Sequence, residues 1–240
     1  MIARIDMRAL ALLALLTPLP AAAQTFGLPQ GCTAYVTIQS RGCMVSHLFT
    51  CATDPPGQQR RADLDESGVI YLGLIDAETQ WLESAGPADG STERLLPDPA
   101  DPASLTNLLA SGRDDFAFAT RTDDAFDTVF RGHDALTGAS VVIDGVTLLA
   151  TTFDVTASDT GGGLLWRTTG AEYVHPEWRT FIAGTRTTTT PDDSFERDAT
   201  PVAFIFPGEE GFLSSTPRHD CGVMMSKAAA FAAVDSGERN

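Results

Sequence analysis

The chain has few basic residues for its number of acidic ones, and lysine is almost absent. Lysine and arginine together number 16 against 32 aspartates and glutamates, which gives a formal net charge of −16 at pH 7. Lys227 is the only lysine. Binding to nucleic acid or to an anionic lipid surface needs clustered positive charge. The composition therefore argues against both kinds of partner and is typical of an acidic, soluble protein.

Long apolar runs are also missing. Ala9–Leu16 is the main one, and it is far shorter than the ~20 residues that a membrane-spanning helix needs. Two arginines precede this run and three alanines follow it after a pair of prolines. This order predicts a signal peptide over residues 1–23 that is cleaved between Ala23 and Gln24. We therefore expect a periplasmic or secreted protein with no membrane span.

The rest of the chain reads as short strands separated by turns. Asp144-Gly145 lies between two apolar runs, which is a strong hairpin signal. Turn residues at 65–68 separate two further strand-like runs. The predicted fold is mostly β: an antiparallel meander that forms a curved sheet, half-barrel or sandwich. Residues 24–240 are expected to form a single β-rich domain, with a possible subdivision at the Pro- and Gly-rich loop 86–102.

One short helix is predicted in the middle of the chain. Leu105, Leu108 and Leu109 follow the spacing of one apolar helix face, and Gly112 is placed to end the helix. Asp101 or Pro102 is the expected start. A helix this short with one apolar stripe is expected to cover the core of the sheet.

Motifs of known enzymes are absent from the sequence. It has no G-x-S-x-G nucleophile elbow, no H-E-x-x-H zinc motif, no P-loop and no dinucleotide-binding G-x-G-x-x-G. A catalytic triad can still be dispersed along a chain, because its members meet only in the fold. Candidates for such a site are His133 with Asp134, His219 with Asp220, and His175.

The first part of a calcium loop is present in "DLDESG". Asp63, Asp65, Ser67 and the following glycine match the opening of an EF-hand, but Leu74 stands where its bidentate glutamate belongs. The flanking residues read as strands, and a hairpin turn explains the same residues without a metal. We therefore predict no cofactor and keep calcium as the weaker alternative.

The four cysteines predict two disulfides. If Arg41-Gly42 is a two-residue turn, Cys32 and Cys51 lie opposite each other in the first hairpin, at a separation that a disulfide can bridge. Cys43 is then left to pair with Cys221. The alternative is a zinc site from Cys43, His47 and Cys51, or soft-metal ligands around Cys221. An even number of cysteines in an exported chain favours disulfides.

A cluster of polar-tipped aromatic residues stands out in "EYVHPEWR". Tyr173, His175 and Trp178 are the candidate ligand-binding residues, because such side chains often line the mouth of a pocket. The alternative is packing around a bulge at the following proline.

Three functions follow as hypotheses. The favoured one is non-enzymatic binding of a hydrophobic ligand, a peptide or another envelope protein. The alternatives are a hydrolase with a dispersed active site and a structural or interaction module without a small-molecule site.

Overall fold

A computed structural model describes residues 25–87, 90–123 and 125–222. The predicted signal peptide, its cleavage position at Ala23 and Gln24, and a short helix expected within residues 224–234 lie outside this range. In the part of the chain that is described, no helix combines the length and the apolarity that crossing a membrane requires.

Thirteen strands and one helix make up the described fold. In chain order they are β1 Cys32–Ser40, β2 Met44–Cys51, β3 Gln59–Asp65, β4 Gly68–Ile75, β5 Trp81–Gly86, β6 Ser91–Leu95, α1 Leu105–Ser111, β7 Arg113–Thr122, β8 Phe126–Ile143, β9 Val146–Asp159, β10 Leu164–His175, β11 Thr180–Thr189, β12 Ser194–Asp198 and β13 Pro201–Ile205.

All thirteen strands belong to one antiparallel sheet. Strands β1 to β12 pair in chain order, and β13 returns to pair with β1. The predicted antiparallel meander is confirmed. One expectation was wrong in detail: the loop expected at 86–102 contains strand β6, which pairs with both β5 and β7. Hydrogen bonding therefore continues through this segment.

The sheet is strongly curved, as its chain path requires. Strands β12 and β13 are its two edges, and twelve strand spacings of ~4.8 Å would put the edges of a flat sheet about 58 Å apart. Only Ala199 and Thr200 separate these strands in the chain, so their joined ends are at most about 11 Å apart. Phe204 on β13 also donates its backbone N–H to the Asp144 carboxylate in the β8–β9 turn. The sheet thus encloses an interior.

Helix α1 covers one end of this interior. Its buried residues Leu105 and Leu108 pack in one cluster with Val174 of β10. The predicted helix is confirmed, with its C-cap at Gly112 in the left-handed conformation. The expected start at Asp101 or Pro102 was wrong. Ser104 is the N-cap, because its hydroxyl accepts the Asn107 N–H.

The first hairpin has a register that differs from the simple two-residue turn. The turn holds three residues, 41–43, so Ser40 faces Met44. A bulge between Ala34 and Val36 then shifts the pairing by one residue, and Cys32 lies opposite Cys51 as predicted. The expected turn was wrong, but the bulge compensates for it.

Both predicted disulfides are present. Cys32 is bonded to Cys51 within the hairpin, and Cys43 in the turn is bonded to Cys221. The second bond holds the C-terminal segment against the outside of β1 and β2. We call β1, β2, β13 and the covering segments 25–31 and 206–222 the closed region.

The closed region is packed on both faces of its sheet. On the inner face, Val36, Ile38 and Leu48 form a core with β9, β11 and β13. On the outer face, Val45 and Phe49 pack beneath side chains from the two covering segments. The strands of the closed region are therefore covered on both faces over most of their length.

Candidate ligand-binding cavity

The interior of the curved sheet contains a cavity of about 570 Å³. Side chains from most of the strands between β2 and β12 line it, and residue 103, just before α1, closes part of one end. This volume lies within the range of roughly 300–1,000 Å³ that is usual for small-molecule sites. Other inward-facing side chains form a packed core where the closed region meets β9 and β11.

One wall of the cavity is aromatic. Alternation along a strand places Phe116 and Phe118 of β7 on the same face, and Phe130 of β8 lies directly opposite Phe118. The Phe118 and Phe130 rings stack with their centroids 5.1 Å apart. The Trp166 ring lies 5.9 Å from that of Phe130. These rings form a continuous apolar surface that a ligand can contact.

Trp81 extends this wall towards solvent. Its ring meets the rings of Phe118 and Phe130 edge to face, at 5.5 and 5.4 Å. It nevertheless keeps 41% of its surface accessible. An accessible tryptophan that packs on a buried aromatic pair gives an entering apolar molecule a contact surface already in place.

Two glycines allow aromatic rings to lie against the sheet. A Cβ on Gly132 would lie 2.7 Å from Cζ of Phe116, and one on Gly170 would lie 2.9 Å from Cε1 of Phe153. Each position would also collide with a backbone oxygen of the neighbouring strand. Any other residue would push these rings further into the cavity and reduce its volume.

The opposite wall is polar and charged. Arg61 donates to the Asp63 carboxylate over 2.6 Å, and Ser46 donates to the same oxygen over 2.6 Å. Burial lowers the pKa of Arg61, but the charge and hydrogen bond of Asp63, together with Tyr71 and Glu172, raise it above its ordinary value, so the guanidinium stays protonated. Arg186 and Arg197 complete this wall. Three guanidiniums therefore face the cavity, and one of them has a carboxylate partner at contact distance.

Two cavity carboxyls are held partly protonated. Burial, with the charge of Asp114 as a second cause, raises the pKa of Asp134 to about 7. Burial and the charge of Asp134 raise the pKa of Glu172 well above its usual range, despite the opposing effect of Arg61 and Arg186. Around neutral pH Asp134 therefore supplies a hydrogen-bond donor as well as negative charge.

The residues of the calcium-like string do not converge on one point. Asp63 faces the cavity and is engaged by Arg61 and Ser46. Asp65 lies in the β3–β4 turn, where its carboxylate accepts the backbone N–H and the hydroxyl of Ser67. This is the hairpin turn that explains the same residues without a calcium ion.

Cysteine does not supply metal ligands in the described residues. The one group there of three close potential ligands is Cys43, Glu66 and Cys221, and its two sulfurs form a disulfide. His47, the third member of the alternative zinc set, is fully buried beside Thr37.

Tyr173, His175 and Trp178 lie outside the cavity lining. The rings of His175 and Trp178 stack with centroids 3.8 Å apart, and Trp178 also contacts Phe204 and Phe206. Together with Tyr173, Trp178 packs against the core between the closed region and β11. Their environment is that of packed side chains around the β10–β11 turn, which was the alternative reading.

Within the part of the chain that the structure describes, the histidines weighed for a hydrolase site are not brought together with a carboxylate and a serine in the cavity. His133 and Asp134 are successive residues of β8 and therefore point to opposite faces of the sheet. Asp134 faces the cavity, while His133 lies opposite Asp115 and Asp154 on the other face. His219 contributes its backbone oxygen, which accepts the Cys43 N–H.

Sequence reasoning singled out Asp63 and Asp134 for other roles and missed the other residues that line the cavity. The alternating pair Phe116 and Phe118, and Trp166 with Thr168, carried the signal of one inward-facing side on each strand. That signal does not distinguish a filled core from an open cavity, because both need inward aromatic residues.

A second depression of about 650 Å³ lies on the surface where β8, β9 and β10 end. Phe126 and Leu165 supply its apolar part, and Arg121 pairs with Asp127 beside them. It is shallow and open to solvent, so we place the candidate site in the interior cavity.

Comparisons with protein-family models, curated proteins and solved structures give no match to this chain.

Proposed function

We propose that this protein is an exported, non-enzymatic binding protein that holds a small, largely apolar molecule inside its curved sheet. The aromatic wall beside a cavity of about 570 Å³ is the observation that carries this proposal. Apolar cavities with a few fixed polar groups are the usual form of small-molecule sites. Export to the periplasm or the exterior is part of the proposal, and the two disulfides fit an oxidising compartment.

An accessible route into the cavity supports a binding role over a purely structural one. Trp81 lines the cavity and is also accessible, and Tyr71 in the neighbouring strand lines it too and keeps 39% of its surface exposed. Exposed apolar side chains continuous with an internal apolar wall give a ligand a route inwards.

Binding of N-phenyl-1-naphthylamine, a neutral dye that fluoresces in apolar surroundings, tests the proposal. We expect saturable binding to the folded protein, with one molecule bound per chain. The Trp81→Ala variant removes the accessible part of the aromatic wall, so its affinity should fall about tenfold.

Phe195→Ala is the matched control. Phe195 is 49% exposed and does not line the cavity, so its removal should leave the affinity unchanged. Each variant must unfold cooperatively, because the dye also binds partly folded chains. No saturable binding to the native protein, or equal loss in both variants, would contradict the proposal.

A further inference from the structure

Two cavity arginines form an unusual pair at the edge of the sheet. Arg186 of β11 and Arg197 of β12 are direct cross-strand partners, and both line the cavity. Side chains at such positions have Cβ atoms about 4.5–5.5 Å apart, and like charges there destabilise a sheet. The pair is therefore a cost to the unliganded fold.

Neither arginine has a carboxylate at ion-pair distance within the described residues. Eight other arginines there do have one, as expected in a chain with twice as many acidic as basic groups. The lack of partners at Arg186 and Arg197 is therefore not due to a shortage of carboxylates.

Of the two carboxyls near this pair, Asp63 already has hydrogen-bond partners and Glu172 has a raised pKa. Asp63 is bound by Arg61 and Ser46. Burial and Asp134 raise the pKa of Glu172, which weakens its negative charge. Burial is the main cause that lowers the pKa of Arg186; the charges of Arg197 and Arg61 lower it further, and Asp63 and Glu172 oppose the shift.

We propose that the bound molecule is an anionic amphiphile whose acidic group is held between Arg186 and Arg197 while its apolar body lies on the aromatic wall. This inference rests on the proposed binding function and adds the chemical class of the ligand. A guanidinium offers two parallel N–H donors to a carboxylate, sulfonate or phosphate oxygen pair. Two facing guanidiniums together offer more N–H donors than one oxygen pair can accept. The acidic group of the ligand therefore bridges the two arginines and removes their mutual repulsion.

A pair of dyes with one shared skeleton tests the charge preference. 8-Anilinonaphthalene-1-sulfonate is N-phenyl-1-naphthylamine with an added sulfonate, so their affinity ratio reports on the anionic group alone. We expect the sulfonate to bind at least tenfold more tightly to the native protein, despite the net charge of −16. The Arg186→Gln/Arg197→Gln variant should bring the ratio close to one while the neutral dye keeps its affinity.

Arg113→Gln/Arg167→Gln is the matched control, because it removes the same two charges from surface ion pairs with Asp115 and Asp154 outside the cavity lining. It should leave the dye ratio unchanged. Without ligand, Arg197→Gln should raise the melting temperature by relieving repulsion, whereas a structural role in an ion pair would lower it.

The two proposals fail in different ways. A dye ratio that stays the same in the double arginine variant, or that is close to one in the native protein, overturns the anionic ligand and leaves cavity binding intact. Failure of both dyes to bind the native protein overturns the binding function and with it this inference.

Discussion

The closed region and the strands around the cavity are built from one sheet, yet they treat its two faces differently. In β1 and β2 most residues are buried, because packed side chains cover both faces. In β10 burial is interrupted along its length, and in β12 nearly every residue is exposed. In the closed region, apolar side chains are buried against one another. In the strands around the cavity, like charges face each other across neighbouring strands, with arginine opposite arginine and aspartate opposite aspartate.

This difference separates stability from function within one sheet. Residues that break packing rules in a stable fold often belong to functional sites. Groups in the closed region should therefore contribute stability, and charged groups in the cavity should reduce it. Three measurements test this contrast.

The largest effect is expected from the disulfide that closes the long loop. Cys43 and Cys221 are 178 positions apart, while Cys32 and Cys51 are 19 apart. Chain entropy predicts stabilisations of about 5 and about 3 kcal/mol respectively. Cys43→Ser/Cys221→Ser should thus lower the free energy of unfolding more than Cys32→Ser/Cys51→Ser, as measured by urea denaturation. The opposite order would show that the covering C-terminal segment holds without its covalent bond.

A smaller effect is expected from His47 in the closed region. Burial lowers its pKa to about 4, with a partial opposing effect from Asp63. The unfolded chain therefore binds more protons than the folded one between about pH 4 and 6.5, so stability falls as the pH drops through this window. The native protein should lose about 2 kcal/mol more than His47→Gln between pH 7 and pH 4.5.

The native protein and His47→Gln share their other titrating groups. The difference between their free energies of unfolding at each pH therefore reports on His47. Denaturation by urea at several pH values measures the difference. Parallel stability curves for the native protein and His47→Gln would mean that His47 is protonated inside the fold.

The smallest effect, of opposite sign, is expected from Asp134 in the cavity. Its pKa is raised to about 7 in the folded protein, so the buried charge costs stability at high pH and nothing when it is protonated. Asp134→Asn should raise the free energy of unfolding by about 1 kcal/mol at pH 8, allowing for screening by cavity water, and should change little at pH 4.

Asp115→Asn provides the control on the other face. Asp115 is an exposed partner of Arg113, and that ion pair lowers its pKa, so its replacement should bring no gain at pH 8. Equal responses of the two variants would show that the cavity does not raise the pKa of Asp134.

The strand content and the disulfides were predictable because they depend on local patterns and spacing. Asp144-Gly145 marks a hairpin by itself, and Cys32 with Cys51 follows from counting residues. The three-residue turn and the bulge were not predictable, since either alone would leave Cys32 opposite a different residue. Each shift is visible only in the hydrogen bonds.

The cavity was not predictable because it depends on how far the sheet curves. In the sequence Arg186 and Arg197 are ordinary charged residues of two successive strands. Their pairing is local to the β11–β12 hairpin, but they line a cavity together with the aromatic wall only because the sheet curves. Tyr173, His175 and Trp178 looked more like a site because they are close together in the chain, and their nearness serves packing instead.

The return of β13 to β1 has a consequence for how the chain folds. β13, which completes the pairing of β1, is the last of the described strands to be synthesised. Cys221, the partner of Cys43, follows it in the chain. Until that partner emerges, the edge of β1 is open and one thiol is unpaired, the state in which a chain is most prone to pair with a neighbour. Contacts of such high sequence separation also slow folding. The protein therefore reaches its native state only after β13 and Cys221 have been delivered, and truncation before β13 should produce aggregates.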